Sequence, residues 1–343
     1  MKGLWKYISP FAPDQSGAAA VLYGLGGIVV ICDAGGCAGN ICGFDEPRWF
    51  SGRKSAVFSA GLRDMDAILG RDDLLVRKVC AAAETVGAAF VALVGTPVPA
   101  VIGTDFKALC RMISRKLNVP ALSVPTTGIG YYDAGMKAAY EALLPALTQE
   151  ESVVEQGRAG VLGAVPLELA DLDEQQVLAE TLQREGWKDV TFFDCLEDYE
   201  QAGRNERNFV VSPAALKGAH YLYERFGTPY EVRYLGRPLP EDVRNAVKGQ
   251  RVLVIHQQIA ANAIAEEVLR AGASFVQTAG WFLADPSCIR PGHIRLKEED
   301  DWCQLADNDA FDVILGDIYF KRALPHFTGL YMDMPHFAVS GRY

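Results

Sequence analysis

The chain has 343 residues, too many for one ordinary core, and points to two or three α/β units. Its formal charge of −10 argues against a nucleic-acid binder, which needs a basic footprint. Residues 1–15 lack the long apolar core of a signal peptide, and the longest apolar run, 18–32, holds three glycines and is too short to span a bilayer. A soluble, cytoplasmic protein that does not enter a membrane is expected, with its eight cysteines reduced.

Apolar runs alternate with amphipathic stretches along the chain. Residues 27–32, 88–95 and 119–125 read as buried strands, and 72–87, 104–117 and 133–147 as helices. This βαβ rhythm predicts a parallel sheet. The charged stretch 148–160 breaks the pattern and marks a boundary. A second series follows: a strand at 159–166, a helix at 174–186, strands at 188–194 and 208–212, and a helix at 213–226. Pro238 and Pro240 make 236–243 a linker, because proline discourages helix in the residue before it. The last series has a strand at 250–256, a helix at 259–271, and strands at 273–280 and 310–317. The expectation is an α/β protein of three Rossmann-like, doubly wound parallel-sheet domains, 1–155, 156–236 and 237–343.

Several familiar motifs fail on context. The glycines of "GLGG" (24–27) precede their strand, whereas a dinucleotide loop must follow one, so NAD is not expected. There is no phosphate-binding P-loop, no C-x-x-C, no H-E-x-x-H and no G-x-S-x-G elbow. Of the five dispersed histidines, His256 ends a strand, where α/β sites gather, although a lone histidine there is more often a hydrogen-bonded structural residue. Cys80, Cys110, Cys195, Cys288 and Cys303 lie outside any ligand-like spacing and read as small core residues.

Three cysteines remain, five residues apart, in "CDAGGCAGNIC": Cys32, Cys37 and Cys42. They follow the first strand at its carboxyl end, where open α/β sheets hold ligands. Gly35, Gly36 and Gly39 permit a tight backbone and close approach of a bulky group. Free backbone N–H groups in such a loop stabilise thiolates and cluster sulfides. An iron–sulfur cluster needs four ligands, and a two-fold dimer doubles the supply at its axis. The spacing alone permits a cluster but does not call for one, and core filler is the plainer reading. In the loop that follows, Trp49 and Phe50 either shield a cluster or plug a solvated turn, and Arg48, Arg53 and Lys54 either counter its charge or meet a partner.

Five stretches then point to one family: "CDAGGC" (32–37), "FSAGLRDMDAILG" (58–70), "TPVPAVIGTD" (96–105), "ERFGTPYEVRYLG" (224–236) and "VKGQRVLVIHQQIAANAIAEEVLRAGA" (247–273). The chain resembles component 1 of nitrogenase and its relatives in a short, homodimeric form. Those relatives include the catalytic subunits of light-independent protochlorophyllide reductase and of the nickel-sirohydrochlorin reductive cyclase. Cys37 matches the family's cluster-ligand cysteine, and Cys32 stands where histidine is usual. The second cluster cysteine is absent, its place falling near Pro97, and Ser9 or Pro10 stands where relatives often place another. The cysteine that holds nitrogenase's catalytic cofactor falls near Val211, which cannot ligate.

The resemblance implies the catalytic, electron-accepting component of a two-component reductase. A [4Fe-4S] cluster would bridge two subunits of a homodimer through Cys37, completed by Cys32, Cys42 or an oxygen from Asp33, Asp45 or Glu46. A nitrogenase iron-protein-like ATPase would donate electrons, and a small unsaturated or tetrapyrrole-like molecule would accept them. The iron–molybdenum cofactor, and dinitrogen reduction with it, is not expected. A metal-cluster scaffold or carrier, and a metal-free ligand-binding module on the same fold, stay open beside this reading.

Overall fold

A computed structural model describes residues 5–51, 55–63, 66, 70–149, 152–307 and 310–342, without the side chains of Phe50 and Ser51. Three parallel sheets carry the architecture. The first has the order β2-β1-β3-β4, formed by Ile28–Ile31 (β1), Ala56–Ser59 (β2), Val91–Val94 (β3) and Ala121–Val124 (β4). The second has the order β6-β5-β7-β8, from Glu155–Leu162 (β5), Asp189–Thr191 (β6), Asn205–Val210 (β7) and Tyr230–Val232 (β8). The third has the order β11-β10-β9-β12-β13, from Arg251–Ile255 (β9), Phe275–Gly280 (β10), Ile294–Arg295 (β11), Val313–Gly316 (β12) and Leu330–Asp333 (β13). Central strands such as "IVVI" and "VALV" are apolar throughout because helices cover both faces of the sheet.

Thirteen helices among the described residues connect or flank these strands. In the first unit they are Asp14–Leu22 (α1), Gly36–Asn40 (α2), Asp72–Val86 (α3), Pro97–Ile102 (α4), Phe106–Leu117 (α5) and Tyr132–Leu147 (α6). The second unit has Glu174–Arg184 (α7), Leu196–Glu200 (α8) and Leu216–Phe226 (α9). The third has Glu241–Ala246 (α10), Gln258–Arg270 (α11), Glu299–Ala306 (α12) and Phe337–Ser340 (α13). None of them is long and apolar enough to cross a membrane.

Helix α1 is buried on every side. It crosses α6 so closely that a Cβ on Gly17 would stand 1.7 Å from the Tyr132 carbonyl oxygen, and one on Gly135 would stand 1.7 Å from that of Asp14. Glycine at both positions lets the two backbones touch.

Residues 5–13 lead into α1 and pack against the third unit. The Glu299 carboxylate accepts the backbone N–H groups of Lys6, Tyr7 and Ile8 at 2.6–2.9 Å. Phe11 meets Trp281 and Phe282 with ring centroids 5.4 and 5.2 Å apart. One apolar cluster therefore runs through all three units, and the loops beyond β4, β5, β7, β9 and β13 converge on it.

Candidate cluster site

The segment after β1 is held by its own backbone before any side chain acts. Cys32 N–H donates to the Val94 carbonyl at 2.9 Å, and its carbonyl accepts the Thr96 hydroxyl at 2.8 Å. Asp33, 2% exposed, accepts Ser59 Oγ at 2.6 Å and Ala38 N–H at 2.9 Å. Its carboxylate thus ties β1 to the end of β2 and satisfies a donor at the start of α2. Gly35 has φ 126°, a conformation that side-chain-bearing residues avoid. A Cβ at Gly35, Gly36 or Gly39 would meet nothing within 4 Å. The space over this loop is open to a group from outside the chain.

The three cysteines of the segment have three environments. Cys32 is buried on the face shared with Cys80 and Cys110, and burial, with smaller contributions from Cys110 and Asp33, pushes its thiol up to about 12. Cys37 is half-buried and packs on the other cluster, the one containing α1. Its thiol is raised by burial and then by the Asp33 and Asp14 carboxylates, so a cation bound there would reverse the local balance. Cys42 lies on the wider helical turn Ile41–Asp45 and is raised by burial and then by Glu46. Among the described residues, these three do not form a group whose ligand atoms lie within 4.8 Å of one another. The group that does is Asp194, Cys195 and Asp198 at the start of α8, where Cys195 is exposed rather than in the core.

The oxygen candidates also separate. Asp33 is engaged as above. Glu46 is held by Arg48, with Nε–Oε1 at 2.7 Å and Nη2–Oε2 at 2.8 Å, and Arg48 also donates to the Ala20 carbonyl at 2.6 Å. Arg48 lies over the Tyr23 ring, which Trp49 also meets at 5.9 Å, so this arginine and this tryptophan anchor the loop to the end of α1. Arg53, Lys54 and the Phe50 side chain lie outside the described residues. Asp45 is different: it accepts Ser16 Oγ at 2.6 Å and lines a cavity of about 480 Å³.

That cavity opens beside α2. Asn40, Phe44 and Asp45 form one wall, Pro10 and Phe11 another, and the turn Gly128–Tyr131 a third. Asn40 is three residues from Cys37, one helical turn along the same face. The turn is fixed by Asp14, whose oxygens accept Gly128 N–H at 2.7 Å and Thr127 N–H at 2.9 Å. Phe44 and Ile129 are 77% and 86% exposed at the rim. Pro97 begins α4 and faces Gly128, where a Cβ would stand 2.5 Å from the proline ring.

A second polar centre, which periodicity did not reveal, lies where the three units meet. Tyr132 Oη is 2.9 Å from His336 Nε2. The Glu168 carboxyl, 1% exposed, faces the hydroxyls of Tyr132 and Ser212, neither in good hydrogen-bonding geometry, and burial pushes it up to about 8. His336 stacks on His256 at 4.5 Å with the planes 8° apart. Burial holds His256 down at about 4, and burial together with His256 lowers His336. Each unit supplies one member: Tyr132 from the first, Glu168 from the second, His336 from the third. Phe282 packs edge-on to Tyr132 and His336, and Val211 is fully buried, its carbonyl accepting Gln257 Nε2 at 2.8 Å.

With this geometry in hand, comparison with known proteins is decisive for family. The sequence model described as "Nitrogenase component 1 type Oxidoreductase" matches residues 14–239, more than half of the chain. The chain belongs to the nitrogenase component 1-type oxidoreductase family. The solved structure "Nitrogenase Cp1 at pH 6.5" superposes with a TM-score of 0.75 at 12% identity, covering 97% of this chain and 87% of that one. "Nitrogenase Cp1 at pH 5" gives 0.75 at 13% identity, covering 100% and 86%. At these identities the likeness establishes the three-unit nitrogenase-like fold. No curated protein sequence matches the chain.

Proposed function

We propose that this protein is the catalytic, electron-accepting component of a nitrogenase-like two-component reductase, with an iron–sulfur cluster shared between two copies of the chain. One observation carries the reading: the half-buried Cys37 thiol, on a glycine loop open to the outside, beside an apolar-rimmed cavity at the carboxyl end of β1. The residues fit such a group only in part. Cys37 supplies one thiolate per copy, and Asp45 is the carboxylate that faces the cavity beside the Cys37 helix. Cys42 is a further candidate ligand, while Cys32, buried on the opposite face of the sheet, serves packing. A bound cluster would supply a one-electron reservoir.

The chain's own residues do the rest. Asp33 and Gly35 fix the approach of the Cys37 helix. Asp14 and Ser16 hold the turn and the carboxylate that flank the cavity. Exposed Phe44 and Ile129 give an apolar surface for the second copy, which excludes water from the site. An iron-protein-like ATPase is the proposed donor, a small unsaturated molecule the proposed acceptor, and the cytoplasm the proposed compartment. Val211, buried and apolar where the family's cofactor cysteine falls, argues against the iron–molybdenum cofactor and dinitrogen reduction.

The test is iron and sulfide content after oxygen-free purification, beside Cys37→Ala. About four irons per dimer, lost in the variant, is the expected result for one shared four-iron cluster. Because the resemblance puts Pro97 near the family's second cluster cysteine, a scaffold or carrier of clusters is the second reading, and iron well above that stoichiometry would favour it. No iron in reconstituted protein would overturn both in favour of a metal-free binding module.

A further inference from the structure

We propose that the cleft between the second and third sheets is a separate small-molecule site, one that takes a compact neutral or cationic molecule with an apolar ring face and an N–H donor. The cleft has a volume of about 340 Å³, at the lower end for ligand pockets and equal to roughly eleven waters. A one- or two-ring molecule fills such a space. Its apolar wall comes from Leu239 and Pro240 of the connecting segment, Ala263 and Ile264 of α11, and Met334 after β13. Leu239 and Ile264 are 3% and 6% exposed, so the wall is part of the packed structure.

The polar wall is built rather than incidental. Tyr234 Oη donates to Glu174 Oε1 at 2.5 Å, and Ala170 N–H donates to Oε2 at 2.6 Å. A Cβ on Gly236 would stand 2.2 Å from the Tyr234 ring and 2.9 Å from Glu174 Oε1, so glycine there keeps this pair in place along the cleft.

Charge decides the ligand class. Two carboxylates at the cleft are matched by guanidinium groups: Asp171 by Arg237 at 3.2 Å and Asp333 by Arg342 at 2.9 Å. Glu267 accepts Leu239 N–H through Oε2 at 2.9 Å and has no cationic partner among the described residues. His256, also on the wall, is held neutral by burial. Glu174, held by Tyr234 and the Ala170 N–H, likewise has no ion-pair partner among the described residues, so the cleft presents two carboxylates unmatched by a cation and no unmatched positive charge. Anions are disfavoured, and an ammonium or N–H donor meets Glu267 while the ring lies on Ile264 and Leu239.

This site does not depend on the reductase reading, and the test separates the two. Ligand-observed NMR on the full-length, metal-free chain would compare benzylamine, benzyl alcohol and benzoate as probes. Benzylamine is expected to bind, benzyl alcohol to bind more weakly and benzoate not to bind. Glu267→Gln, which leaves the wall intact, should weaken benzylamine about fivefold, as expected for a partly exposed charge pair, without affecting benzyl alcohol. Ala263→Phe, which fills the cleft from α11, should abolish both. Benzoate binding as tightly as benzylamine, binding that survives Ala263→Phe, or no binding by any probe would overturn the proposal. Iron measured on separately reconstituted samples reports on the reductase reading alone.

Discussion

Glu168 gives the sharpest test of how the three units are held together. Its carboxyl is buried where they meet, and burial raises it from an ordinary 4.5 to about 8. Between those values the native chain keeps a proton that the unfolded chain has released, so stability falls as pH rises. The slope is about 1.4 kcal/mol per pH unit, and the full loss is about 5 kcal/mol once pH passes the native value. Glu168→Gln keeps the shape of the protonated acid and removes the titration. From pH 5.5 to 7.5 the variant should therefore gain about 3 kcal/mol over the natural chain. The neighbouring histidines act in the opposite direction. His256, lowered from 6.5 to about 4, contributes stability that is fully present above pH 6.5 and is lost as pH falls toward 4. Taking the difference between natural chain and variant at each pH removes that contribution to first order. Urea unfolding at several pH values supplies the measurement. Parallel stability curves for the two proteins would refute the reasoning and place an ionised, fully stabilised carboxylate at this position.

Other outcomes follow from the same geometry. Cys37→Ala should lose bound iron, whereas Cys80→Ala and Cys195→Ala keep it, as read by iron content. Cys32→Ala should also keep iron while lowering stability by about 1 kcal/mol, because it removes a buried sulfur from the core, and thermal unfolding checks this. Gly17→Ala or Gly135→Ala should cost about 3 kcal/mol or abolish folding, since each Cβ would enter the backbone of the partner helix; unfolding midpoints decide. Glu46→Gln should cost about 3 kcal/mol because it leaves the largely buried Arg48 without its bidentate carboxylate, and denaturant titration measures the loss.

The parallel strands were legible because they are buried on both faces and read as unbroken apolar runs: 27–32, 88–95 and 250–256 each contain an observed strand. Helix α1 was not legible, because a helix buried all round has no polar face and hence no 3.6-residue rhythm to find. Strand β2 is an edge strand with two exposed residues, and its short sequence "AVFS" carries little pattern. The glycines of "GLGG" lie ahead of β1, and one reason for them is packing: a Cβ at Gly27 would stand 2.4 Å from the Phe90 ring. At the site, the cysteine segment announced itself by spacing, yet spacing could not separate Cys32, which follows the strand and packs on one face, from Cys37, which the helix Gly36–Asn40 packs against the other cluster. The Tyr132–Glu168–His336 centre left no local mark, since Tyr132 and His336 are 204 residues apart and meet only through the fold.

Helix α1 explains why a cysteine loop and a three-unit junction coexist in so small a chain. Its buried first turn carries Asp14, which fixes the turn 127–128, and Ser16, which holds Asp45 at the cavity wall. The same helix touches the backbone of Tyr132 through Gly17, and Tyr132 places its hydroxyl on His336. A displacement of α1 would therefore move the cavity beside Cys37 and the junction of the three units together. Since neither Gly17 nor Gly135 tolerates a side chain, the two centres are held in register by backbone contact rather than by adjustable side chains. In the reductase proposed above, such a rigid link would keep the Cys37 loop and the buried Glu168 carboxyl at a fixed separation.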